Sequence, residues 1–144
     1  MTVRELGPGE THLAAAALLE LRPRYDAATL VARIDSVQRA EGYRLAASFA
    51  EGAEEAGGAA GFRIVENLAW GRALYLDDLS TRETARGAGH AHALFDWLDS
   101  AAIEAGCDEL HLDSGVGPER EAAHRFYYNH QLRIRAYHFG RGVG

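Results

Sequence analysis

The sequence predicts an α/β fold with a mixed, mainly antiparallel sheet and helices on both faces. Three observations carry this. Strand-like segments follow one another between residues 43 and 81 with only short breaks, as in an antiparallel meander. A strand, an amphipathic helix and a second strand then occupy 72–81, roughly 90–105 and 109–114, and such a crossover makes its two strands parallel. Two helical stretches between residues 10 and 42 separate the first strand from the meander.

Thr2 to Leu6 reads as a short strand closed by Gly7-Pro8-Gly9. From Glu10 the apolar residues Leu13, Ala17, Leu18 and Leu21 share a helical face, and Pro23 stops the helix. Arg22 and Arg24 sit at the corner, where a solvated position is the simpler reading. Asp26 is placed to cap a second helix whose stripe is Leu30, Val31, Ile34 and Val37, ending at Gly42. Tyr43, Leu45, Ala47 and Phe49 alternate as in a half-buried strand. Glu51 to Gly61 is rich in glycine, alanine and acid and reads as a hairpin loop. Phe62, Ile64, Leu68 and Trp70 resume strand spacing, and a third strand, Arg72 to Thr81, follows at once.

That third strand carries an irregularity. Leu74 and Leu76 share a face, so strict alternation would put Asp78 with them and Leu79 opposite. One extra residue near Asp77-Asp78 would return Leu79 to the apolar side, as a β-bulge does; the alternative is a strand ending near Leu76. The next helix buries Ala91, Leu94, Phe95, Leu98 and Ala102, and Gly106 ends it. Glu109 to Ser114 is a strand with Leu110 and Leu112 inward, and Pro118 opens a helix bearing Ala122, Ala123, Phe126, Tyr127 and His130. Ile134 to Phe139 reads as a last strand.

A chain of 144 residues with nearly half of them apolar supports one domain with a real core, spanning residues 1–144. The net charge of −6 argues against nucleic acid as a partner, because no basic field would draw in phosphates. The lone Cys107 cannot form an internal disulfide and points to a cytoplasmic setting. No apolar run reaches membrane-span length, so no membrane partner is expected, and the N-terminus lacks a signal peptide's apolar core.

The most informative stretch is Asp78 to Leu98, a strand end, a turn and a Gly-rich helix entry centred on Arg86-Gly87-Ala88-Gly89-His90-Ala91. Small residues let a ligand approach the backbone, the helix start offers unpaired N–H groups, and Arg86 adds a cation. A tight turn with no ligand is the competing reading. A P-loop is excluded, since the chain contains no lysine, and the dinucleotide fingerprint fails because His92 stands where its third glycine belongs. What remains is Arg/Gln-x-x-Gly-x-Gly/Ala, met by Arg86, Gly89 and Ala91, which resembles the coenzyme-A-binding motif of the GNAT family of N-acetyltransferases. A second block, Ala122-Ala123-His124-Arg125-Phe126-Tyr127, followed by Leu132 and Tyr137-His138-Phe139, is similar to that family's closing segment, although Gln131-Leu132 replaces its usual Gly-Phe. The resemblance covers roughly Leu74 to Phe139 and agrees with the helix pair at residues 10–42.

The resemblance implies a GNAT-like sheet whose parallel strands, 72–81 and 109–114, splay apart around acetyl-CoA. Leu79, Ser80 and Thr81 would line the pantetheine arm, with backbone groups of Leu79 and Thr81 pairing with it. Gly87, Ala88, Gly89, His90 and Ala91 would hold the pyrophosphate beside Arg86. It also implies direct attack of an amine on the thioester, which needs a base, an oxyanion donor and an acid for the leaving thiolate. Leu79 N–H is the oxyanion candidate and Tyr127 the acid, unless Tyr127 is only a packing residue. Asp77 and Asp78 are the base candidates, matching an acidic pair in polyamine acetyltransferases of the family; a solvated strand end is the alternative, and Glu66 and His111 are weaker offers. No metal is expected, because His90 and His92 face different ways on a helix and no HExxH or Cys/His spacing supports His111, Asp113 and His124. The expected function is acetyl-CoA-dependent N-acetylation of a small amine or a peptide amine. The alternative is a non-catalytic module of the same shape binding coenzyme A or a protein. Oligomeric state stays open, a homodimer included.

Overall fold

The computed structural model describes residues 1–144, which form two compact units, Met1–His111 and Leu112–Gly144. No helix is long and apolar enough to cross a membrane.

The first unit is organised by a five-stranded sheet in the order β1 (Thr2–Leu6), β2 (Arg44–Phe49), β3 (Gly58–Asn67), β4 (Gly71–Thr81) and β5 (Glu109–Leu112). The first four run antiparallel in sequence, and β5 returns parallel to β4 through the crossover helix α3 (His90–Glu104). Leu45, Ala47 and Ala59 face α1 (Ala15–Leu21) and α2 (Ala27–Arg33), forming one core with Leu18, Leu30 and Ile34. The other face is covered by α3, where Phe62 meets Trp97 edge-on with ring centres 5.9 Å apart. Asp26 caps α2 as its position predicts, accepting a hydrogen bond from Thr29 N at 2.8 Å.

Several expectations need correction. The helical stretch from Glu10 begins as a 3₁₀ segment, Pro8–Ala14, and α2 passes into a π turn over Ile34–Gln38, which turns Val37 outward to 40% exposure. The stretch read as loop up to Gly61 is strand from Gly58, with Ala59 and Ala60 fully buried. Its residues are small because side chains from elsewhere lie directly on the backbone there. A Cβ on Gly61 would overlap the Tyr43 hydroxyl, and one on Gly58 would sit 3.0 Å from His90 Cβ. Leu68 and Trp70 are not strand residues but belong to the turn between β3 and β4, and Leu68 is fully exposed. β5 ends at Leu112 rather than Ser114.

The bulge is present. Phe62 pairs with Leu76 and Gly61 with Asp78, so Asp77 is the extra residue, and Leu79 pairs with Ala60 on the α3 side.

In the second unit a 3₁₀ turn, Pro118–Arg120, leads into α4 (Glu121–Asn129). The expected last strand, Ile134 to Phe139, does not form: the segment has no ladder, and Ile134, Tyr137 and Phe139 are 72%, 85% and 91% exposed. Alternation alone does not make a strand, because the ladder bonds must come from a partner chain segment.

Candidate active site

The bulge sets the chemistry of the sheet's α1 face. Because Asp77 is the extra residue, two consecutive carboxylates find partners on the same side. Asp77 receives the planar fork of Arg63, with Nε to Oδ2 at 2.8 Å and Nη2 to Oδ1 at 2.9 Å. Asp78 accepts from Tyr43 Oη at 2.9 Å on one oxygen and from Arg22 Nε at 2.8 Å on the other. Arg22 also reaches the Asp77 carbonyl at 3.2 Å. The acidic pair is thus a neutral cluster of two carboxylates and two guanidiniums, Arg22 being nearly half exposed. Burial, then the Asp78 charge, pushes the Tyr43 phenol well above its usual range, so Tyr43 stays a donor.

Beside this cluster runs an aromatic row. Trp70 stacks on His111 at 3.7 Å and lies parallel to Tyr75 at 6.1 Å, while Arg63 covers the Tyr75 ring at 5.3 Å. His111 Nε2 is hydrogen-bonded to Glu109 at 2.8 Å, and Glu66 faces Arg72 at 3.8 Å.

Farther along β4 lies the Gly-rich cradle. Asp108 N donates to Arg72 O at 2.8 Å, so the four-residue β5 starts beside the beginning of β4. At about 3.3 Å per residue it runs out near Leu76, and Leu79, Ser80 and Thr81 extend beyond it. After Thr81 the chain is braced from three sides: Arg82 N to Gly57 O at 2.8 Å, Arg82 to Glu55 at 3.3 Å, and Glu83 N to Glu20 Oε1 at 3.0 Å. Gly87 and Gly89 then adopt φ of +82° and +93°, a region that suits glycine, and the space a Cβ would take at either is empty. The N–H groups of Gly87 to Ala91 have no partner within the fold, and neither has the Arg86 guanidinium. Free N–H groups at the start of a 15-residue helix, open space above them and an unpaired cation at the rim suit a phosphate-bearing ligand.

Tyr127 lies in the second unit, on α4. Burial raises its phenol above the usual range, with Arg120 pulling the other way. Its carbonyl accepts from Leu132 N at 3.0 Å, which closes the helix over Gln131, a non-glycine residue with φ of +67°.

Tyr43, Arg63 and Ser48 are absent from the sequence-based site, which includes His90 without its buried ring contact, and Arg22 pairs with a carboxylate rather than with solvent alone. One local signal was available: the isolated Gly61 in an apolar strand marks a close approach.

The acetyltransferase (GNAT) family model matches residues 11–131. No curated protein matches the chain. Among solved structures, a ribosomal-protein-alanine N-acetyltransferase from Brucella melitensis biovar Abortus 2308 superposes with a TM-score of 0.82 at 19% identity, covering 99% of this chain and 100% of that one. An integron cassette protein of V. cholerae gives 0.81 at 18% identity, covering 99% and 92%. An acetyltransferase from Trypanosoma brucei gives 0.76 at 22% identity, covering 99% of each chain. At such identities the likeness is one of fold.

Proposed function

The chain belongs to the GNAT acetyltransferase family, and we propose that residues 1–144 are one acetyltransferase domain that moves an acetyl group from acetyl-CoA to an amine of a small molecule or peptide. The observation that carries this reading is the cradle at Arg86–Ala91, with its unpaired N–H groups and unpaired guanidinium. When bound, acetyl-CoA supplies an acetyl thioester as electrophile. Gly87 to Ala91 and Arg86 would hold its pyrophosphate, and Leu79, Ser80 and Thr81 its pantetheine arm.

Asp77 or Asp78 takes a proton from the acceptor's ammonium, whose pKa lies near the ~10.4 of lysine, so that a free amine can attack. Leu79 N–H would be the donor to the thioester carbonyl oxygen. Tyr127 would serve as the acid for the thiol leaving group; a phenol raised by burial still carries its proton at neutral pH. The arginines on both carboxylates favour a second reading, a module that binds coenzyme A without turnover, because a carboxylate already holding a guanidinium is a weaker lure for an ammonium.

One experiment separates them. Melting temperature is followed with and without acetyl-CoA, and free thiol is then monitored over a panel of small and peptide amines. A ligand held by the native state alone raises the melting temperature, by about 2.7 kcal/mol of stability at a hundred times Kd. Thiol release with at least one amine supports the enzyme. Binding without release supports the module. An unchanged melting temperature with no heat in calorimetry overturns both.

A further inference from the structure

Three polar residues of the first unit are buried, Thr11, Ser48 and His90, and two of them meet under the cradle. His90 is the first residue of α3, directly after Gly89, and its ring points down into the sheet rather than out to solvent. Ser48 Oγ on β2 and His90 Nδ1 are hydrogen-bonded at 2.8 Å. The ring lies against the backbone of Gly57, where a Cβ would overlap the imidazole, and the His90 Cβ lies against Gly58. Backbone bonds close the niche: Gly57 N to Ser48 O at 2.9 Å and Arg82 N to Gly57 O at 2.8 Å tie β2, the start of β3 and the end of β4 around it. Arg82 is also where the cradle loop departs. From Arg86 to Ala91 no other side chain makes a hydrogen bond.

We propose that Ser48 and His90 are a positioning pair for the coenzyme: they pin the start of α3 to β2, so that the N–H groups of Gly87 to Ala91 converge on a diphosphate. This rests on the cofactor reading above and concerns side chains that face away from the ligand. The loop needs such a pin because both its glycines are free of neighbours on the ligand side, and conformational freedom there must be lost on binding if it is not lost beforehand. The niche supports a neutral ring. Ser48 faces it from β2 and Gly57 from the residue just before β3; no carboxylate bonds to it, and the charge felt there is the Met1 amino group.

The pair acts on the diphosphate end of the coenzyme and not on the pantetheine arm, which a general loss of folding would not separate. Calorimetry with coenzyme A and with S-acetylpantetheine, which lacks the diphosphate, is compared for wild type, Ser48→Ala, His90→Leu, the double variant and His90→Asn. Ser48→Ala and His90→Leu each weaken coenzyme A by about 3- to 10-fold, the value of one intramolecular hydrogen bond, and the pantetheine ligand by less than about two-fold. The double variant is no weaker than the worse single, since the two act as a unit. His90→Asn, whose carboxamide can reach Ser48, recovers most of the loss. Equal weakening of both ligands, or unchanged coenzyme A affinity in Ser48→Ala, overturns the pairing; Ser48→Ala decides if His90→Leu does not fold. A wild type that binds no coenzyme A overturns the cofactor reading itself, a distinct result.

Discussion

Tyr43 Oη donates to Asp78 Oδ2 at 2.9 Å across the backbone of Gly61, on the strand between them. The contact exists because residue 61 has no side chain. Tyr43→Phe removes one hydrogen bond to a carboxylate that Arg22 still holds, and costs about 1.5 kcal/mol. Gly61→Ala must displace Tyr43 from its place and costs more, up to about 3 kcal/mol. Urea denaturation of both variants checks the order; a harmless Gly61→Ala would mean that Tyr43 has another comfortable position.

Arg86 gives a contrasting case. Its guanidinium has no partner, so Arg86→Ala leaves the melting temperature of the free protein within the range of ordinary surface changes, about 0.5 kcal/mol. If the side chain meets a phosphate, coenzyme A binding weakens by about 1.5–3 kcal/mol, the value of a charge-assisted hydrogen bond. Calorimetry beside a thermal melt reads both numbers. A loss of stability without a loss of affinity would reverse the assignment.

Tyr127→Phe lowers kcat by about 10²–10⁴-fold and leaves coenzyme affinity in place, provided the phenol is the proton donor. Steady-state kinetics on whichever amine the panel identifies is the measurement. Equal kcat in the two proteins returns Tyr127 to a packing role.

His90 makes acid stability measurable. Burial, aided by the Met1 amino group, lowers its folded pKa, whereas the unfolded ring titrates near 6.5. Below about pH 6.5 the unfolded chain therefore binds a proton that the folded chain refuses, and stability falls with pH until the folded pKa is passed. Above pH 6.5 the ring contributes no slope. The carboxylates with lowered pKa, Glu5, Glu10 and Asp26, act only further down, below their ordinary values of 4.5, 4.5 and 3.8. Urea midpoints between about pH 6.5 and 5 should decline in wild type and decline less in His90→Leu. Parallel lines would show that the ring accepts its proton in place.

Gln131 stands at a left-handed position that closes α4, with φ of +67°. An L-residue there costs about 1–2 kcal/mol that glycine does not incur. Gln131→Gly should raise stability by about 1 kcal/mol, read as a higher urea midpoint with unchanged m-value. The family pattern asks for glycine at this point, and the fold has kept the turn without it.

Much of the fold was legible because its signals are local. Asp26 precedes an apolar stripe and caps α2. The phase slip between Leu76 and Leu79 announces the bulge at Asp77, since a period of two cannot hold both leucines on one face without an extra residue. The tight entry to α3 is written in consecutive small residues before a helix, and Gly87 and Gly89 take left-handed conformations there.

By itself, then, the sequence determined the order of elements from β1 to α4, the crossover that makes β4 and β5 parallel, the bulge and the tight Gly-rich entry to α3, all of them consequences of periodicity and backbone sterics within a few residues. Tertiary structure alone decided the partners. Arg22 reaches Asp78 across 56 positions and Ser48 reaches His90 across 42, and no pattern along the chain says which of fifteen arginines will meet which carboxylate. It also decided that Gly58 to Gly61 is strand rather than loop, because their smallness answers to Tyr43, His90 and Leu94 lying on the backbone, and that Ile134 to Phe139 is not a strand. Periodicity records which face a residue would present; the ladder bonds, ion pairs and close contacts that fill that face depend on which distant surface arrives there.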